Sequence, residues 1–192
     1  MEKYRTQFWI FSILIMLFTT ACGPRHVVAP IVLSTDRTTP LAPRVAGRVG
    51  PADIYPDPNI TPGVAAKDVT QENIQTTICV KGFTNPPRRP PTSYTNDLKI
   101  KGFADYGLSD HTLGHYEEDH LISLELGGDP IDPHNLWPEP YAASIPDGGA
   151  YKKDSVERYL NGQVCHGKMT LEEAQKDIVE DWYKVYKSVH NK

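Results

Sequence analysis

The chain has 192 residues, with 20 lysines and arginines against 24 aspartates and glutamates and a formal net charge of −4. That balance excludes a module that coats nucleic acid through bulk positive charge. It leaves room for an enzyme, which needs positive charge only beside the group it acts on.

The first residues read as a targeting segment. Lys3 and Arg5 precede an apolar run from Phe8 to Phe18, which is as long as a signal-peptide core and short for a bilayer span. Residues 1–21 are therefore expected to direct export. Thr19-Thr20-Ala21 before Cys22 resembles a lipoprotein processing site, which implies lipid on Cys22, although Thr19 stands where that pattern usually has leucine. In an oxidising compartment the two remaining cysteines, Cys79 and Cys165, are expected to pair. Their long loop corresponds to about 4–5 kcal/mol in the chain-entropy model; the alternative is two unpaired buried thiols.

Residues 22–67 carry Pro24, Pro30, Pro40, Pro43, Pro51, Pro56, Pro58 and Pro62 with no helical or strand period, and read as a semi-extended tether. The domain is then residues 68–192, enough for one core. Thr70 is an expected N-cap for a short helix to about Cys79. Asn85 to Pro91 is a proline-blocked loop, and Ser93 or Thr95 caps a helix to about Ala104. Tyr116 to Leu126 is expected to be a strand ending at Gly127-Gly128. A second short strand starts at Asn135 and is expected to be cut off by Pro138 and Pro140. Val156, Leu160 and Val164 give a helix from Ala150 to about Val164 an apolar stripe. Thr170-Leu171-Glu172-Glu173 is a capping box for a last helix with Leu171, Ala174, Ile178, Trp182, Val185 and Val189 on one face.

The chemistry concentrates at Glu117-Glu118-Asp119-His120 and Asn135. Histidine supplies a general base near neutrality. Aspartate supplies an oxygen ligand for a hard divalent cation, and Asn135 is placed to brace the loop between them. Adjacent strand residues point to opposite faces, so Asp119 and His120 can share a site only where the strand ends or bulges. The plain alternative makes His120 a core histidine among Ile122, Leu124 and Leu126, with Glu117 and Asp119 on the other face. His111 and His115 sit four apart near Gly107 and Gly114, a setting that favours a loop over a zinc site. Trp137 reads as a core anchor.

Asp119-His120-Leu-Ile-x-Leu-x-Leu-Gly-Gly followed by Asn135-Leu136 resembles the first two-thirds of an HNH endonuclease motif. Asn135-Leu-Trp-Pro-Glu-Pro, Lys153-Asp154-x-x-Glu157, Val164-Cys165-x-Gly, Thr77-Ile78-Cys79-Val80, Arg89-Pro-Pro-x-Ser93-Tyr94-Thr95 and Asp181-Trp182 extend the resemblance to small exported bacterial HNH-like proteins over most of residues 56–186. The resemblance implies an α+β fold with a ββα-metal core and flanking helices, in which a hairpin is crossed by the helix from Ala150. It implies His120 as general base, Asp119 as metal ligand, Asn135 as orienting residue and one divalent cation (Mg²⁺, Mn²⁺ or Zn²⁺) as cofactor.

The third motif position departs from the pattern. Where a histidine or asparagine is expected, the helix offers Tyr151-Lys152-Lys153-Asp154. Asp154 is the substitute ligand by chemistry and Lys153 a phosphate contact; alternatively Lys153 and Glu157 form a surface i,i+4 pair and Asp154 is solvated. Glu117 would support the metal ligands from behind, and Arg88-Arg89 between prolines suit a phosphate grip. The implied activity is endonucleolytic cleavage of DNA or RNA with little sequence preference. The implied location is periplasmic or membrane-anchored, with nucleic acid as substrate, membrane contact only through an N-terminal lipid and no protein partner. The alternative is a catalytically inactive lipoprotein that keeps the fold as a binding scaffold in the cell envelope. A hydrolase of another ester or amide ranks below both, since no GxSxG-type nucleophile motif is present.

Overall fold

A computed structural model describes residues 52–142 and 149–190. The expected targeting segment, Cys22 and the tether up to residue 51 lie outside the described residues. In chain order the regular elements are α1 (Thr92–Asp105), β1 (Tyr116–His120), β2 (Leu136–Pro140), α2 (Ala150–Cys165) and α3 (Leu171–His190). The class is α+β. The sheet is a two-stranded antiparallel hairpin, in register from His120↔Leu136 to Tyr116↔Pro140.

The tether expectation needs correction at its end. Ile54, Tyr55, Thr61 and Ala66 are buried, and the Trp182 indole donates to the Ile54 carbonyl at 2.9 Å. Beyond a 3-10 turn at Ala52–Ile54 this stretch is irregular, but irregular chain buries side chains as well as regular chain does once a backbone partner is supplied.

Prolines do not interrupt β2. Leu121 N–H donates to the Asn135 carbonyl, and Tyr141 N–H to the His115 carbonyl. In an antiparallel ladder the bonded positions alternate, so the odd-numbered residues of β2 face β1. Pro138 and Pro140 fall at the intervening positions, where a missing N–H costs no ladder bond.

β1, in contrast, is shorter than expected. After His120 the chain leaves the ladder, forms a single 3-10 turn at Leu124–Leu126 and reverses at Gly127 with φ of 72°. A Cβ on Gly128 would stand 1.7 Å from the Ile122 carbonyl oxygen, so the close approach of the two backbone segments requires glycine there. The first expected helix is also only a 3-10 turn, Gln71–Thr76. Thr76 and Thr77 hydroxyls donate back to the Asn73 carbonyl at 3.1 and 2.9 Å, competing with helix propagation.

The core lies where α2 packs on α3. Val156, Leu160 and Val164 meet Leu171, Ala174, Ile178 and Trp182, all buried. Each large apolar side chain buried here contributes about 1.5–3 kcal/mol. The capping box forms as expected: Thr170 N–H donates to Glu173 Oε2 at 2.8 Å, and Glu173 N–H to Thr170 Oγ1 at 3.2 Å. One feature of α3 was not anticipated. At Asp181 the backbone turns extended (φ −162°, ψ 73°) and kinks the helix. The Asp181 carboxylate accepts from Lys184 N–H at 3.0 Å and so caps the segment that follows.

Cys79 and Cys165 form the expected disulfide, with Cα atoms 5.5 Å apart and a sequence separation of 86. It ties the segment after the first turn to the C-terminal end of α2. Replacing both cysteines by serine is expected to lower the unfolding free energy by about 2–5 kcal/mol, read from urea melts of the oxidised protein and the variant. A change under about 1 kcal/mol would show that the bond adds little to this fold. Among the described residues no helix is long and apolar enough to cross a membrane.

Candidate active site

Asp119 and His120 line one cavity of about 240 Å³. The strand-parity objection is removed because β1 ends at His120: Asp119 points from the hairpin face, and His120 turns in from the strand's last position. Glu117, Asp154, Glu157, Arg89 and Arg158 complete the polar wall, with Ser123, Leu124 and Glu125. Thus β1, the 3-10 turn, α2 and the proline-rich loop each contribute a side.

His120 is 6% exposed. Its Nε2 lies 3.0 Å from the Pro130 carbonyl oxygen, an acceptor only, so Nε2 carries the hydrogen and Nδ1 keeps the lone pair. Burial holds the imidazole below its ordinary pKa, against the Pro130 hydrogen bond and the Asp119 charge, which favour the imidazolium. The ring is therefore a neutral base around pH 7.

Asn135 has no exposed surface and does not line the cavity. Its Oδ1 accepts from Ile122 N–H (3.0 Å) and Val64 N–H (3.2 Å), and its Nδ2 donates to the Ile122 and Asp129 carbonyls, both at 3.0 Å. It replaces a strand partner for the chain just past His120. Asn135 therefore braces the loop through backbone hydrogen bonds and makes no contact with the cavity itself. The Tyr94 hydroxyl donates to the Ile131 carbonyl and steadies the same loop, next to Pro130.

Lys153 is the largest departure from expectation. Its side chain is 1% exposed, so it is neither a phosphate contact nor half of a surface pair. Its Nζ lies 2.6 Å from Asp119 Oδ2 and 2.6 Å from Glu157 Oε1 and donates to the His120 carbonyl at 2.9 Å. An ammonium is thus enclosed by three oxygens beneath the cavity floor. Burial alone would lower its pKa, but Asp119, Glu157 and Glu139 raise it well above the usual lysine range. A proline-free helix position followed four residues later by glutamate looks solvated in sequence, because nothing local reveals that the hairpin closes over it.

Arg88 and Arg89 separate. Arg88 pairs with Asp68 through contacts of 2.7 and 3.3 Å, and its guanidinium lies 4.6 Å from the Phe83 ring centroid. It is committed to structure and does not face the cavity, so its phosphate-binding assignment is corrected. Arg89 does line it. Arg158, which sequence reasoning missed, lines it too; it follows Asp154 by one helical turn, and that spacing was the available signal. His111 and His115 do not converge on a metal: His111 Nε2 bonds the Leu108 carbonyl at 2.8 Å, and His115 Nδ1 pairs with Asp110 at 2.5 Å. Trp137 is 3% exposed, a core residue.

Carboxylates dominate the electrostatics. Burial raises Glu117 and Asp154, each further raised by Asp119 and opposed by Lys153 and Arg89. Glu157 is likewise raised by burial against the pull of Lys153. Glu139, opposite Glu117 in the ladder, is fully buried with both carboxyl oxygens lacking a hydrogen-bond partner. Burial and then Asp119 hold it well above the ordinary carboxylate range. Its phase with Trp137 along β2 was the sequence signal for that buried face. The oxygen donors of Asp119, Asp154 and Glu117 suit a hard cation. Among the described residues no group of three His, Cys, Asp or Glu is spaced to hold a metal ion by itself. A cation here would take one or two carboxylates and complete its shell with water and phosphate oxygens, as magnesium does.

On the other face of β1, burial pushes Glu118 up to about 8, opposed by Lys99 and assisted by Asp119. A carboxyl with a raised folded pKa favours folding at low pH. Its share of stability falls as pH rises from the unfolded value near 4.5 through about 8. Glu118→Gln is therefore expected to stabilise the protein by about 2 kcal/mol at pH 8 and by little at pH 4. Thermal melts at the two pH values decide it; equal gains at both would count against a buried neutral Glu118.

Compared with models of protein families, with curated proteins and with solved structures, the chain finds no match, and its function is therefore read from its own residues.

Proposed function

We propose that the protein is an exported, HNH-like endonuclease that hydrolyses phosphodiester bonds in DNA or RNA with one divalent cation and little sequence preference. The observation that carries this reading is the convergence of Asp119 and a tautomer-locked His120 on one cavity. His120 Nδ1 takes the proton from a water attacking phosphorus. Pro130 and Asn135 keep the ring and its loop in place for that transfer. Arg89 and Arg158 hold non-bridging phosphate oxygens from two sides of the cavity. A divalent cation at Asp119, with Asp154 beside it, would supply charge compensation at the departing oxygen. Lys153 fixes Asp119 and the end of β1 from below and touches no substrate. The Cys79–Cys165 disulfide supports export, and lipid on Cys22 would provide the membrane contact.

One observation favours the inactive scaffold instead: Asp119 already has a cation, Lys153, at 2.6 Å. Calorimetric titration with Mg²⁺ or Mn²⁺ separates the two readings. A nuclease is expected to bind the ion, and Asp119→Ala to weaken binding at least ten-fold; equal binding by both proteins would favour the scaffold. The direct test is digestion of plasmid DNA and single-stranded RNA by the oxidised protein in EDTA, Mg²⁺, Mn²⁺ or Zn²⁺. Cleavage that needs the ion is expected. Folded protein that cuts neither polymer with any ion would overturn the nuclease.

A further inference from the structure

Tyr151, in the first turn of α2, is 64% exposed. It does not stand alone. Its ring stacks on Tyr141 with centroids 5.4 Å apart and planes 28° from parallel. Gly149 N–H donates to the Tyr141 carbonyl at 3.2 Å, closing the connection that brings the two rings together. Tyr141 is fastened in turn by its own N–H to the His115 carbonyl at 3.0 Å. Main-chain hydrogen bonds thus anchor the backbone that carries Tyr141 and the start of α2.

Its position matters more than its exposure. Along β2, Tyr141 stands two residues past the ladder partner of Glu117, and along α2 Tyr151 stands three residues before Asp154. Both carboxylates line the cavity. An aromatic face thus adjoins the elements that line the cavity, where Arg89 and Arg158 would hold a phosphate. The remaining wall is acidic and the whole chain carries a net charge of −4, a poor surface for tracking the two phosphate backbones of a duplex. Stacking does not depend on that charge, because every base offers a π-face.

From this juxtaposition, and resting on the nuclease reading of the cavity, we propose that Tyr151 backed by Tyr141 is a stacking platform for one unpaired nucleobase next to the scissile phosphate. The substrate class is then single-stranded or locally unpaired nucleic acid. A paired base in an intact duplex cannot present its face to the ring, so duplex is disfavoured without any sequence being read.

The test uses the full-length protein carrying His120→Ala, so that probes stay intact, and measures fluorescence anisotropy with three labelled probes. These are a short oligothymidylate, an abasic oligonucleotide of equal length and a blunt duplex. The oligothymidylate is expected to bind most tightly. Adding Tyr151→Ala should weaken it about ten-fold, leave the abasic probe unchanged and be reversed in Tyr151→Phe. Equal weakening of the abasic probe, or no change with any probe, would overturn the platform; so would tighter binding of duplex than of single strand. Failure of the platform is distinct from failure of the nuclease. Metal-dependent cleavage by the unmutated protein survives the first and is absent in the second.

Discussion

Replacing Lys153 by methionine is expected to lower the unfolding free energy by about 3–5 kcal/mol at pH 8. The ammonium sits 2.6 Å from Asp119 and 2.6 Å from Glu157 with its side chain 1% exposed. Removing it strands buried carboxylates and leaves the His120 carbonyl without its donor. The loss is expected to shrink toward pH 4, because the abandoned carboxylates then take up protons and shed their charge. Urea denaturation at both pH values measures it. The double variant Lys153→Met/Glu157→Leu should recover part of the loss, since two apolar groups leave fewer unpaired charges than one deleted partner does. A loss below about 1 kcal/mol at pH 8 would mean that the ion cluster is solvated and that Lys153 does not organise the site.

The second large effect is on catalysis. His120→Ala is expected to reduce metal-dependent cleavage by about 10²–10⁴-fold, the range for a lost general base. Folding should be kept, because the Pro130 carbonyl that accepts from Nε2 is only half-buried and water can replace the ring. Since burial holds the imidazole below its ordinary pKa, the cleavage rate is expected to rise as His120 loses its proton below neutrality and to level off by pH 7. Single-turnover rates across that interval report the effect. Cleavage by the alanine variant at the unmutated rate would remove His120 from the mechanism.

Several elements could be read from the chain alone because their signals are local. The apolar spacing of Val156, Leu160 and Val164 defines α2, and the Thr170–Glu173 capping box defines the start of α3; both depend only on neighbours within a turn or two. The hairpin was legible in outline, but its two ends were not. Pro138 and Pro140 were expected to cut the second strand short, yet their alternation places both on the unbonded edge, and that parity is known only once the register is known. β1 ends at His120 because a side chain from beyond the turn, Asn135, takes over the Ile122 backbone.

Asp119 and His120 could be singled out as candidates through the motif resemblance, an aspartate before a histidine with an asparagine after the glycine turn, while residue type alone left His120 equally readable as a core histidine. What each neighbour does was decided by the tertiary structure. Arg88 and Arg89 are chemically identical neighbours, but Phe83 and Asp68 take one of them and the other is left facing the cavity. Lys153 and Glu157 look like an ordinary solvated i,i+4 pair until β1 lies over them. Charge patterns along a chain fix which groups titrate. Whether water reaches them depends on segments distant in sequence, and burial decides whether an ammonium reaches for phosphate or, as here, holds up the floor of the site.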